Sequence, residues 1–152
     1  MRILSWRDQT LMEEFVKSDS RKRNLEFIDS ILHVSNIDIK NTVYYTIHGS
    51  VLNSENLSIK ISSTSKLSLL EAGPISKMEL FQDSTGFLDG GNCKVNDMLL
   101  KTSSTGNTKN FTVSDNLTIN AKGSGDITLR LYSTGTETIK TKGRADIQID
   151  RI

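Results

Sequence analysis

Two histidines, one cysteine, scattered acids and one glycine-rich loop are the parts of this chain from which a reactive site could be assembled. His33 and His48 stand 15 positions apart, and neither has metal-ligand spacing to the other or to Cys93. Catalysis needs a constellation rather than a lone residue, so both histidines read as surface residues. Cys93 falls among apolar positions and reads as an inert core thiol. The G-x-S-x-G elbow of a serine hydrolase is absent. The loop, KGSGDITLRL from Lys122, has glycines that suit a phosphate cradle at a helix start. The residues after them, Asp126-Ile127-Thr128-Leu129-Arg130-Leu131, alternate with period two. That is a strand, so Gly123-Ser124-Gly125 reads as a tight corner between strands.

A corner of this kind needs a scaffold that repeats it. AKGSGDITL from Ala121 and TKGRADIQI from Thr141 share Lys-Gly and Asp-Ile at an offset of 20. Stepping back from the apolar anchors Ile139 and Ile119 reaches Leu100, Leu80, Ile59 and Ile39. Two positions before the anchors stand Leu117, Met98, Met78, Leu57 and Ile37, with Glu137 breaking the series. Eight positions after them come Ile47, Leu67, Leu88, Ile127 and Ile147, with Thr108 the exception; thirteen after come Leu52, Ala72, Cys93, Val113 and Tyr132. Only 36% of residues are hydrophobic, so columns this full reflect stacked repeats that bury one face between them. The spacing predicts an all-β fold, a parallel β-helix (solenoid) of about six coils of ~20 residues, each strand pairing with its copies above and below. Glycine, asparagine and aspartate at the corners supply positive φ where needed. Ser, Thr and Asn ladder along the outside.

The acids Asp83, Asp89, Asp97, Asp115, Asp126 and Asp146 do not cluster in sequence. Only Asp126 and Asp146 occupy equivalent places on successive coils, about 5 Å apart. They would repel unless protonated, bridged by calcium, or offset by the equivalent Lys122 and Lys142. No catalytic residue, cofactor or resident metal is expected. Asn56, Asn110 and Asn116 match a glycosylation sequon, which an Asn/Ser/Thr-rich chain produces by chance.

The bulk numbers narrow the function classes. A chain of 152 residues suits one domain with a real core. A net charge of +1 argues against a dedicated nucleic-acid binder, and Arg21-Lys22-Arg23 reads as a solvated linker. One cysteine permits no internal disulfide. No apolar run reaches roughly 18 residues, so no membrane span is expected. The first residues, MRILSWRDQTLMEEF, begin basic without an apolar h-region. The chain is then cytoplasmic by default, or at the cell surface if an export signal lies outside it.

Residues 1–36 do not follow the repeat, and 37–152 form the β-helix domain. Ser5 and Asp8, with Leu11, Met12, Phe15 and Val16 at helical spacing, predict a short helix over 6–17 that lids the first coil or docks on a partner through Trp6, Leu11 and Phe15. Ser18 to Asn24 reads as linker, and Leu25 to Val34 as an irregular coil or lead-in strand. The last coil, DIQIDRI, presents Ile149 and Ile152 for self-association through an open coil end.

LTINAKGSGDITLRL followed by IKTKGRADIQID resembles the auto-transporter adhesin head family, the GIN domain. The resemblance is best over 117–150 and extends from about 37. It implies a right-handed parallel β-helix, bacterial origin and a cell-surface location, and carries over no catalytic residue. Only Gly123 to Ile127 has the full corner; Gly143-Arg144-Ala145-Asp146-Ile147 keeps part of it. The chain also resembles bactofilin-like scaffolds, short β-helices that polymerise end to end, and phage fibre coils. The expected function is a non-catalytic interaction module, adhesin-head-like, with a protein or glycan partner. A self-assembling scaffold is the alternative, and a polysaccharide-active enzyme the third.

Overall fold

A computed structural model describes residues 34–40, 42, 44–49 and 52–152, with the backbone of β1 (Arg2–Leu4) and β2 (Leu25–Phe27). β1 and β2 pair in parallel as a two-stranded sheet of their own. The helix expected over 6–17, and with it Trp6, Leu11 and Phe15, lies outside the described residues, as do Arg21-Lys22-Arg23 and His33.

From residue 34 onward the chain is a parallel β-solenoid of about six turns with two sheet faces. The first face stacks β3 (Asn36–Ile39) on β5 (Asn56–Ile61), β7 (Ile75–Gln82), the far half of β8 (Phe87–Thr102), the far half of β9 (Thr108–Ala121) and β11 (Thr136–Thr141). The second face stacks β4 (Tyr44–His48), β6 (Lys66–Leu70), the near halves of β8 and β9, β10 (Ile127–Leu131) and β12 (Ile147–Arg151). All these pairings are parallel, because each coil returns to the same side before climbing one level. No α-helix occurs among the described residues, and so none long and apolar enough to cross a membrane.

Alternation puts every second side chain inside. The central interior file is Ile37, Ile59, Leu80, Leu100, Ile119 and Ile139. Its first five members are at most 1% exposed, whereas Ile139, in edge strand β11, is 39% exposed. Each fully buried Ile or Leu here stabilises the stack by roughly 1.5–3 kcal/mol. The file beside it is Leu57, Met78, Met98, Leu117 and Glu137, with Glu137 the polar outlier its spacing implies.

The columns depart from expectation in two ways. Ile39 pairs with Ile61 and Ile47 with Leu69, so the first coil's members of the anchor and anchor-plus-eight files are Ile37 and Tyr45. The offset there is 22 residues, while later anchors repeat at 19 to 21. The anchor-plus-thirteen column is not one file. Cys93 pairs with Phe111, Val113 with Val95 and Leu131, and Tyr132 is 38% exposed. The cause is local bulging. The offset falls from 20 at Leu88–Thr108 to 18 at Cys93–Phe111, with Gly91 (φ 55°) and Asn92 (φ 64°) in the left-handed region between them. Asn110, φ 63°, is the extra residue where β9 meets β10.

The step between faces, by contrast, never varies. Ile37 to Tyr45, Ile59 to Leu67, Leu80 to Leu88, Leu100 to Thr108, Ile119 to Ile127 and Ile139 to Ile147 are each eight residues. All length variation falls in the return leg. This constant corner contains Gly123-Ser124-Gly125, and the structure explains its glycines by close stacking. A Cβ at Gly123 would lie 2.0 Å from the Ser104 carbonyl oxygen, and one at Gly125 2.1 Å from that of Gly106. Among the described residues, glycines with φ in the left-handed region are Gly73 and Gly91 only. Room, rather than turn conformation, therefore selects glycine at the repeated corner.

Candidate functional site

The glycine-rich corner is not a phosphate cradle. The N–H groups of Ser124 and Gly125 both donate to the Ser104 carbonyl at 3.0 Å, one coil below. Ladder pairing has consumed the donors an anion would need.

The residues singled out for chemistry stay apart. Cys93 is fully buried, and burial pushes its thiol up to about 12. His48 is a third exposed, its Nε2 3.0 Å from a Glu71 carboxylate oxygen. Each acid with a described partner is tied to its own neighbourhood. Asp97 accepts from Asn116, whose amide oxygen accepts from Thr136, a ladder over three coils. Asp146 accepts from Gln148. Asp89 accepts from the Gly91 N–H at 3.0 Å and the Asn110 amide at 2.8 Å, with Lys109 at 3.7 Å. Burial would raise the Asp89 carboxyl, but these bonds and the charges of Lys109 and Lys66 outweigh it and hold it below its ordinary value. No group of three or more His, Cys, Asp or Glu that could hold a metal ion occurs among the described residues.

Ile149 is half-buried against the core, beside Ile147 and Ala145, while Ile152 is 54% exposed. Ile149 lies within edge strand β12, and Ile152 directly follows it.

Where side chains do converge is on the outer surface of the first face. An open groove of about 550 Å³ runs up its corner edge. One outward row is Lys60, Phe81, Lys101, Asn120 and Lys140, in register on five consecutive coils. The row two residues on lines the groove with Asp83, Ser103, Lys122 and Lys142. The interior residues between the rows, Gln82, Thr102 and Ala121, form its floor. Five lysines thus face one aspartate. None of the five forms an ion pair among the described residues. Lys101 instead holds its ammonium 5.5 Å from the centre of the half-buried Phe81 ring, a cation–π contact.

Sequence spacing singles out Lys122 and Lys142 only as counter-charges to Asp126 and Asp146, and it misses Lys60, Lys101, Lys140 and Phe81. The available signal is their place one residue after an interior anchor, which points them outward on the same face. A second depression, on the other face, is lined by Tyr44, Phe87, Lys66 and Lys109. There Asp89 already engages Lys109, so its charge is more nearly balanced.

Comparison with known proteins gives one family. Residues 26–130 match the family described as "Putative auto-transporter adhesin, head GIN domain". No curated protein and no solved structure matched the chain. The match takes in most of β2 and the solenoid through most of β10, with the corner Gly123 to Ile127 inside it. On fold and family match together, the chain belongs to the auto-transporter adhesin head GIN domain family.

Proposed function

We propose that the chain is a non-catalytic interaction module whose solenoid, residues 37–152, presents the lysine-lined groove to a ligand on a surface. The observation that carries this reading is the register of Lys60, Phe81, Lys101, Asn120 and Lys140 on consecutive coils of an adhesin-head fold. A rigid stack fixes the backbone from which those side chains project, so binding orders side chains only and not the scaffold. The test is a mixed glycan and protein array probed with the full chain and with Lys101→Glu/Lys140→Glu. Saturable binding, lost in the variant, with no ligand cleaved over hours, is expected. Binding retained by the variant, or time-dependent appearance of new sugar ends, would defeat the reading.

A second reading is self-association through edge strands β11 and β12. It is favoured by Ile139 and Ile152, 39% and 54% exposed beside half-buried Ile149. Sedimentation at micromolar concentration should then show concentration-dependent oligomers that Ile149→Lys/Ile152→Lys abolishes. A wild-type chain that stays monomeric would rule it out. The arm residues Trp6, Leu11 and Phe15 are proposed protein contacts; Trp6→Ala would weaken a partner complex without shifting the solenoid's melting temperature.

A further inference from the structure

We infer that the groove's ligand is a linear acidic polysaccharide, bound along the solenoid axis with its carboxylates against the lysine rows. This inference rests on the reading of the groove as the ligand-facing surface. Charge is the first argument. Lys60, Lys101, Lys122, Lys140 and Lys142 line the groove with Asp83 the one acid among its lining residues, although the whole chain carries only +1. The groove therefore carries a net positive charge well above that of the whole chain, and a groove with an excess of one sign raises the local concentration of the opposite charge.

Shape is the second. The lysines stand in rows, one coil or two apart, at about 4.8 Å per coil. From Lys60 to Lys140 is four coil rises, about 19 Å. An extended polymer advances by about one coil rise per sugar ring, so its acidic groups meet ammonium groups repeatedly along one line. A compact anion would use only part of that line. Lysine also neutralises as a point charge on a flexible stem, without the fixed fork that arginine imposes. That suits successive carboxylates whose orientation varies from ring to ring.

The remaining lining decides between polyanions. Asn120 and Ser103 offer short polar groups for hydroxyls between the charges, and Phe81 gives one apolar face against which a sugar ring can lie. Single-stranded nucleic acid takes a series of aromatic platforms for successive bases; this groove has a single aromatic ring.

The experiment is titration calorimetry of the full chain with hexagalacturonate, cellohexaose and a dT oligonucleotide. Hexagalacturonate should bind, with affinity falling steeply as salt rises from low to physiological strength. Cellohexaose should not bind measurably. Lys101→Gln/Lys122→Gln/Lys140→Gln should weaken hexagalacturonate by about tenfold or more. Lys109→Gln, on the other face, should leave it unchanged. All these positions are exposed, and circular dichroism confirms folding of each variant. Equal binding of cellohexaose, tighter binding of the oligonucleotide, or full retention by the triple variant would overturn the inference. If hexagalacturonate fails while Lys101→Glu/Lys140→Glu still abolishes whatever the array captured, the acidic-glycan assignment falls and the groove reading stands. If both variants bind as wild type, both fall.

Discussion

The Thr108 hydroxyl donates to the amide oxygen of Gln82 at 2.6 Å, across the interior of the solenoid. Both residues are buried, at 0% and 3% exposure. Gln82 takes the place of Ile61 in its file, and Thr108 that of Leu88. Two polar residues in apolar files thus satisfy one another. The Gln82 amide nitrogen faces the backbone carbonyls of Gly86, Gly106 and Asn107. Ser104 completes the cluster, donating to carbonyls in the coil below and accepting from the Gly106 N–H.

Thr108→Val removes the donor and leaves the Gln82 oxygen buried without a partner. The expected loss is about 1–3 kcal/mol, the cost of a stranded buried acceptor. Thr108→Ser keeps the hydroxyl and should lose less. Urea unfolding of the two variants checks this; a larger loss in Thr108→Ser, which lacks the methyl, than in Thr108→Val, which lacks the hydroxyl, would show that the methyl group, not the hydrogen bond, matters.

Gly125→Ala places a methyl group against the Gly106 carbonyl, where the backbone is fixed by the ladder. Overpacking of this kind costs roughly 1–3 kcal/mol or more. The equivalent place in the last coil is already Ala145, half-buried. Ala145→Gly should therefore change stability far less, by about 0.5–1 kcal/mol. Thermal melts that shift equally would contradict the stacking explanation.

Cys93 should resist thiol reagents in the native protein. Its thiol is fully buried and raised to about 12, so at pH 8 almost no thiolate is present. The expected result is no modification by an aromatic disulfide reagent until denaturant unfolds the chain, then one equivalent. Fast native modification would place Cys93 elsewhere.

Asp89 predicts an acid limb in stability. Burial alone would raise its carboxyl, but Asn110, the Gly91 N–H and the lysines together hold it below its ordinary value of 3.8. A depressed acid stabilises the fold above its unfolded pKa, and that contribution is lost as pH falls through the folded value. Melting temperature should therefore fall less between pH 5 and pH 3 in Asp89→Asn than in wild type. Parallel curves would show that Asp89 does not contribute.

The fold was legible because burial in a solenoid obeys a simple rule. Side chains point in at every second residue, and the file recurs once per coil, so Ile59, Leu80, Leu100 and Ile119 announced the architecture from spacing alone. The corner motif was legible for the same reason, since its eight-residue step is invariant. Tertiary structure decided whatever depends on exact register. Gly91, Asn92 and Asn110 bulge the strands, so Cys93 meets Phe111 and not Val113. Two extra residues in the first return leg move Ile39 out of the anchor file. The groove was hidden for a related reason. Successive members of the row Lys60, Lys101 and Lys140 lie some 40 residues apart in the chain, and no local pattern joins outward residues that solvent leaves free to vary. Only the stacking of coils, fixed by what is buried beneath them, brings those charges into one row.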